Sequence, residues 1–188
     1  MAHNGRMTPD EYWGRRLALE QRLHDGPALR IAALTLRLGL LGEKAHDLRP
    51  DIADLQDQLH LALQELRVIA GQIYPPLLRE EGLGAALREL AAGLPGPVRV
   101  DAGDGRFDTA VEGVAFFTVR EVLEGLRDAT RTVDITVRRD DSGLVLDLAN
   151  VDTGQVVAVR DRIEWLGGAV EIVGGAALPT LKVRIPCG

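Results

Sequence analysis

The first half of the chain carries its apolar residues at alternating steps of three and four, the spacing of helices that pack side by side. A first helix is predicted from Thr8-Pro9-Asp10-Glu11, where a hydroxyl N-cap precedes proline and glutamate, to about Lys44. Its seam consists of His24, Pro27, Ile31, Leu34, Leu38, Leu41 and Ala45. A second helix is predicted from Pro50 to Ile73, with the seam Ile52, Leu55, Leu59, Ala62, Leu66, Ile69 and Ile73. Because this antiparallel hairpin has more apolar surface than it can cover alone, we expect a homodimeric four-helix bundle.

The second half changes character, with more Val, Ile, Thr and Gly in short alternating segments. A short helix from about Leu77 to Ala92 leads to the linker Gly93-Leu94-Pro95-Gly96-Pro97, where prolines and glycines stop a helix. The predicted order is then strand, helix, strand, strand, helix, strand, strand: Val98–Asp101, Thr109–Ala129, Thr132–Arg138, Gly143–Ala149, Gln155–Leu166, Ala169–Val173 and Thr180–Ile185. The fold class is therefore α+β: a helical hairpin domain (8–76), a connecting helix and linker (77–97), and a sheet covered on one side by two helices (98–188).

Composition and charge narrow the function. The 188 residues carry 22 Lys+Arg and 28 Asp+Glu, and this net charge of -6 argues against a broad nucleic-acid-binding surface. The single cysteine, Cys187, excludes intramolecular disulfides and cysteine-based zinc sites. No apolar run approaches the roughly 20 residues of a membrane span, and no signal peptide is recognisable. We expect a cytoplasmic protein without a bound metal.

The candidate chemistry begins at His24-Asp25-Gly26-Pro27, inside the first predicted helix. A carboxylate beside a histidine can orient one ring nitrogen and accept a proton, which leaves the other nitrogen as a nucleophile towards a phosphoryl group. Taken alone, a helical histidine is more often an ordinary surface or half-buried residue. Pro27 adds weight because a proline inside a helix costs about 3 kcal/mol and distorts the backbone next to His24.

These residues, with Leu34 to Leu40, resemble the dimerisation and phosphoacceptor helix of sensor histidine kinases of the NarX/DesK type. The resemblance continues through Glu65-Leu66-Arg67, Ile73-Tyr74-Pro75 and Leu83 to Leu87, and reaches the last predicted helix, Arg160 to Gly168. It implies that His24 is the phosphoacceptor and Asp25 its acid and general base. It also implies that the second half is a Bergerat-type ATP-binding sandwich. From their position around His24, we expect Arg22, Pro27 and Arg30 to contact an acidic partner protein, although a solvated helix face explains the arginines equally well.

The ATP-binding elements that the resemblance implies are degenerate. The metal-binding Glu-x-x-x-Asn motif is represented by Glu121 to Gly125, so the glutamate remains and the asparagine is glycine. The Asp-x-Gly-x-Gly turn retains only Asp152 and Gly154, and the flexible lid that follows it is missing. Because the metal ligand, the lid and the phosphate-binding glycines are lost together, we expect neither ATP nor magnesium as a cofactor. Leu29 stands where the family usually has the Gln or Thr of its phosphatase reaction.

Three functions remain open at this point. The first is a histidine phosphotransfer protein that exchanges a phosphoryl group between His24 and the receiver aspartate of a response regulator. The second is a pseudokinase that binds or sequesters a regulator or a sensor histidine kinase without being phosphorylated. The third, an active ATP-dependent kinase, is favoured least by the residues at positions 121–125.

Overall fold

The computed structural model describes residues 8–126, 130–152, 156–174 and 179–187, except for the side chains of His46 and of residues 156–158. The chain divides into two compact units. One unit is residues 15–76, and the other combines the chain up to Gly14 with the part from Leu77 onwards. Within the described ranges, no helix is both long enough and apolar enough to span a membrane.

The helical unit is an antiparallel hairpin. Helix α1 (Pro9–Leu23), whose first residues belong to the other unit, continues through a π-helical turn (His24–Ala28) into α2 (Leu29–Lys44). A 3-10 turn (His46–Leu48) then leads into α3 (Arg49–Ile73). The predicted capping box is present, because the Thr8 amide donates to Glu11 Oε2 and the Glu11 amide donates to Thr8 Oγ1. Side-chain contacts fix the pairing, since Gln56 Nε2 donates to the Thr35 carbonyl at 3.1 Å.

The other unit has an α+β fold built on one five-stranded mixed sheet. Its helices are α4 (Pro76–Glu80, which enters this unit at Leu77), α5 (Leu83–Ala92), α6 (Thr109–Glu124) and α7 (Val156–Trp165). Its strands are β1 (Val98–Ala102), β2 (Val133–Asp140), β3 (Gly143–Ala149), β4 (Ala169–Val173) and β5 (Thr180–Pro186). The strand order is β1-β2-β3-β5-β4; β1 and β2 are parallel and the other neighbours antiparallel. Its core joins one face of α6 to the inward residues of β2, β3 and β5, among them Val114, Ile135, Leu146 and Val183.

The two units differ from the predicted domain limits at their edges. Trp13, at the start of α1, is buried against the ring of Phe117 on α6, with ring centroids 5.3 Å apart. Helix α5 packs on β1 and α6 and so forms part of the sheet unit, although the sequence pattern assigned it to a separate connection.

Three predicted elements also need correction. The single helix expected from Leu77 to Ala92 is two helices, because Gly82 adopts φ +88° between them. Helix α6 ends at Glu124, and Gly125 is its C-cap, so it stops before the predicted end at Ala129, which lies outside the described residues. The predicted first helix is interrupted by the π turn; of its seam, Ile31 and Leu38 are partly covered in the single chain, whereas His24, Pro27, Leu34 and Leu41 are exposed.

Candidate functional site

The π-helical turn at His24–Ala28 is the candidate phosphoacceptor site. An α-helical proline lacks an amide hydrogen and its ring meets the carbonyl four residues earlier, which for Pro27 is that of Leu23. The wider π turn absorbs this conflict, and the Leu29 amide closes it by donating to the Gly26 carbonyl. The distortion predicted from Pro27 is therefore present, and none of the five residues in the turn is buried.

Both side chains of the His24-Asp25 pair are exposed to solvent. No hydrogen bond or ion pair joins them among the described contacts, as expected for adjacent residues, which point to different sides of a helix. An exposed imidazole can be reached by a phosphoryl donor on a second protein, and its free ring nitrogen can attack phosphorus. The geometry thus presents a nucleophile, with an acid close in the chain.

The arginines around His24 have different roles. Arg22 and Arg30, on either side of the π turn, are exposed and add positive charge to the surface near His24. Arg16 instead binds within the hairpin, where Nε donates to the Ile73 carbonyl at 2.6 Å and Nη2 to the Gln72 carbonyl at 2.8 Å. Leu29 is exposed beside Arg30, so an apolar and a basic side chain lie next to each other at the start of α2.

Glu121 and Gly125, the positions expected to belong to a degenerate nucleotide site, lie at the C-terminal end of α6. Glu121 is bound by an arginine from α7, with Arg162 Nη2 at 2.8 Å from Glu121 Oε2. Gly125, which has no side chain to bind a metal, donates its amide to the Glu121 carbonyl as the helix C-cap. The sequence alone does not mark Arg162 as a site residue, because no local pattern links two residues so far apart in the chain.

These residues do not fit a magnesium–triphosphate group. The glutamate that the family motif retains is neutralised by a guanidinium, and the position of the metal-binding asparagine caps a helix. Asp152 is half-buried, while Gly154 lies outside the described residues. Within the described part of the chain, no three His, Cys, Asp or Glu side chains are grouped so as to hold a metal ion.

No protein-family model and no curated protein matches the chain. Among solved structures, it is similar to the blue-light activated histidine kinase of Erythrobacter litoralis EL346, with 17% identity and a TM-score of 0.49 over 76% of this chain; it spans 63% of that kinase. It is also similar to the histidine kinase AdeS of Acinetobacter baumannii (12% identity, TM-score 0.44, covering 77% of this chain and 98% of that one). A bacterial phosphotransferase matches with 8% identity and a TM-score of 0.46, covering 92% of this chain and 95% of that one. At these scores the matches identify no family, and the function is argued from the chain's own residues.

Proposed function

We propose that this protein is a dimeric histidine phosphotransfer protein of two-component signalling, derived from a sensor histidine kinase of the NarX/DesK type. The observation that carries the proposal is the contrast between two sites. His24 is exposed on a distorted helical turn, whereas Glu121, the residue retained from the expected metal-binding motif, is paired with Arg162. A chain that keeps the phosphoacceptor and loses the triphosphate site can exchange phosphoryl groups but cannot take them from ATP.

The proposed reaction is a reversible transfer between two proteins. A ring nitrogen of His24 attacks the phosphorus of an aspartyl phosphate in a receiver domain, so that the P–N bond forms as the P–O bond to the aspartate breaks. The imidazole proton passes to Asp25 or to water, and the receiver aspartate leaves as a carboxylate. Because the transfer needs only alignment of donor and acceptor, no bound metal or nucleotide on this chain is required.

The surface near His24 supports a protein partner. Arg22 and Arg30 provide exposed positive charge on both sides of the π turn, and Leu29 and Pro27 add exposed apolar surface. Charged groups around an apolar contact give orientation and fast association with a partner of opposite charge. A receiver domain with an acidic rim around its phosphorylated aspartate would match this surface.

The test is phosphotransfer from a labelled receiver. We expect label to appear on the wild-type chain and to be absent from His24→Ala, while His60→Ala, which removes an exposed histidine of α3, remains labelled. Asp25→Asn should slow the transfer without abolishing it, because it removes the proton acceptor and keeps the nucleophile. A wild-type chain that stays unlabelled with every receiver of its own cell would refute the proposal.

A second candidate is the pseudokinase that binds a partner without being phosphorylated. The Glu121–Arg162 ion pair favours this function equally, because it engages the glutamate retained from the expected ATP site and involves no requirement for His24. The two candidate functions predict different results for His24→Ala in a cell whose signalling depends on the protein. Signalling that survives His24→Ala favours the binding platform, and signalling that is lost favours phosphotransfer.

Both candidates predict that the chain does not bind Mg–ATP. A ligand at 100 times its dissociation constant stabilises a protein by about 2.7 kcal/mol, which a thermal melt detects. We expect no shift of the melting temperature with millimolar Mg–ATP, and no labelling of His24 by radiolabelled ATP. A magnesium-dependent rise in melting temperature would favour the active kinase instead.

A further inference from the structure

The sequence spacing alone would place His24 inside the hairpin seam. His24, Ile31 and Leu38 follow each other at intervals of seven, which is nearly two turns of an α-helix, so an uninterrupted helix would align them on one face. That face of α2 is directed at α3: a Cβ built on Gly42 would lie 3.3 Å from Ile52 Cγ2, and the Thr35 carbonyl accepts from Gln56.

The α3 surface opposite this position is apolar. The antiparallel pairing of Thr35 with Gln56, and of Arg16 with Ile73, brings the second half of α3 opposite His24. This stretch includes Leu63 and Ala70, both buried. In a regular helix His24 would therefore face apolar side chains, where a polar imidazole is disfavoured and a partner protein cannot reach it.

The structure instead exposes His24. The residues of this region that are at least partly covered are Leu23, Gly26, Ala28 and Ile31, while His24, Asp25 and Pro27 are exposed. The π turn explains the difference, because its hydrogen bonds span five residues rather than four and so accommodate one extra residue. One residue corresponds to about 100° of rotation around the helix axis. The turn thus rotates His24 by about a quarter of a circle away from the line of Ile31 and Leu38.

We propose that Pro27 is a positioning residue, which holds the extra residue of the π turn and thereby keeps His24 outside the α2–α3 seam. Its functional meaning rests on the phosphotransfer role proposed above. With alanine at position 27, the conflict with the Leu23 carbonyl disappears, so α-helical bonding can run through residues 24–28 and return His24 to the seam.

A matched pair of variants separates rotation from loss of proline. In Pro27→Ala, Leu29 is still the fifth residue after His24. If this stretch becomes a regular α-helix, His24 turns by about 100° towards α3. Deletion of Pro27 makes Leu29 the fourth residue after His24. In a regular α-helix, His24 then has nearly the direction that it has in the π turn. Both variants lack the proline, but only the substitution changes the direction of the histidine.

The first readout needs no partner protein. Diethyl pyrocarbonate acylates accessible imidazoles, and mass spectrometry of peptides measures the rate at each histidine, with the exposed His60 of α3 as an internal reference. We expect the rate at His24, relative to His60, to fall severalfold in Pro27→Ala and to return to near the wild-type value in the deletion variant. Circular dichroism checks that both variants remain helical.

The second readout is phosphotransfer from a labelled receiver, which should follow the same order in the three proteins. Unchanged His24 reactivity in Pro27→Ala, or an equal loss in the deletion variant, would overturn the positioning role. If the order of acylation holds while no protein, including the wild type, accepts phosphate from any receiver, Pro27 sets the exposure of His24 and the proposed phosphotransfer function fails.

Discussion

Glu112, at the start of α6, joins three parts of the sheet unit through one buried carboxylate. Only 1% of its side chain is exposed, and its oxygens accept from Arg106 Nε at 2.9 Å and Nη2 at 3.1 Å. The Phe107 amide also donates to it, at 2.9 Å. The same arginine donates to the carbonyl of Arg79 in α4, at 3.2 Å. The carboxylate therefore links α6 to the loop before it and, through Arg106, to the end of α4.

We predict that Glu112→Gln lowers the free energy of unfolding by about 1–3 kcal/mol, because a buried carboxylate that pairs with the half-exposed Arg106 becomes neutral and a donor replaces one of its acceptors. The control is Glu124→Gln, since Glu124 is exposed and lies 3.6 Å from Arg120. That change should alter stability by no more than about 0.5 kcal/mol. Urea denaturation of the two variants makes the comparison, and equal midpoints would contradict the role assigned to Glu112.

At the scale of elements, the first turns of α1 are packed on α6 through a close contact between Trp13 and Gly113. Trp13 lies flat over Gly113, where an added Cβ would be 2.5 Å from the indole Cε3 atom. Trp13 is only 2% exposed, and Tyr12 beside it makes an edge contact with Trp165. A glycine is required at position 113 because any side chain would occupy the space of the indole.

We predict that Gly113→Ala displaces Trp13 and destabilises the unit by about 1–3 kcal/mol, the usual cost of an overpacked contact. In a Trp165→Phe background Trp13 is the remaining tryptophan of the chain, so its emission should shift to longer wavelength as the indole is exposed to water. Gly14→Ala is the matched control, because nothing lies within 4 Å of a Cβ at that position of α1. An unshifted emission spectrum in Gly113→Ala would show that the contact adjusts without releasing the indole.

The elements that the sequence predicted well are those with a local cause. The predicted limits of β3 and β4 coincide with the observed ones, and the Thr8–Glu11 capping box begins α1 where expected. The errors arise where a distant or backbone effect intervenes. Gly82 breaks a helix because it adopts a positive φ, and its lack of a side chain leaves room for Arg106, whose Cδ would lie 2.7 Å from an added Cβ.

In the candidate site, too, features set by neighbouring residues could be predicted, and features set by distant contacts or by the backbone could not. The sequence identified His24, Asp25 and the distortion at Pro27, because they lie next to each other in the chain. It placed His24 in the seam, since periodicity assumes a constant 3.6 residues per turn and one π turn violates that assumption. It also missed Arg162, whose contact with Glu121 exists only after α6 and α7 have packed together.

At the scale of the whole molecule, the hairpin has two exposed sides of different composition. On the side away from the contact between Thr35 and Gln56, α2 exposes Leu34 and Leu41 and α3 exposes Leu55 and Ile69. On the other side, a groove of about 470 Å³ between the helices is lined by Leu36 and Leu40 but also by the polar Glu43, Gln56 and His60. The side with Leu34 and Leu41 is the better candidate for contact with a second copy of the chain, because apolar cores distinguish permanent homodimer interfaces from other surfaces.

We predict that Leu41→Glu converts a dimer to a monomer, whereas Leu36→Glu on the groove side of the same helix does not. In a two-fold symmetric bundle each substitution occurs twice, so losing the burial of Leu41 costs at least about 3 kcal/mol and weakens association roughly 100-fold. Leu36 is the more exposed of the two, at 71% against 55% for Leu41, so a non-specific effect of surface charge would be at least as large there. Sedimentation equilibrium distinguishes a 20.3 kDa chain from twice that mass. A monomeric wild type would contradict the dimer itself. Dissociation by Leu36→Glu instead of Leu41→Glu would place the dimer interface, and with it the symmetry of the two His24 sites, on the groove side of the hairpin.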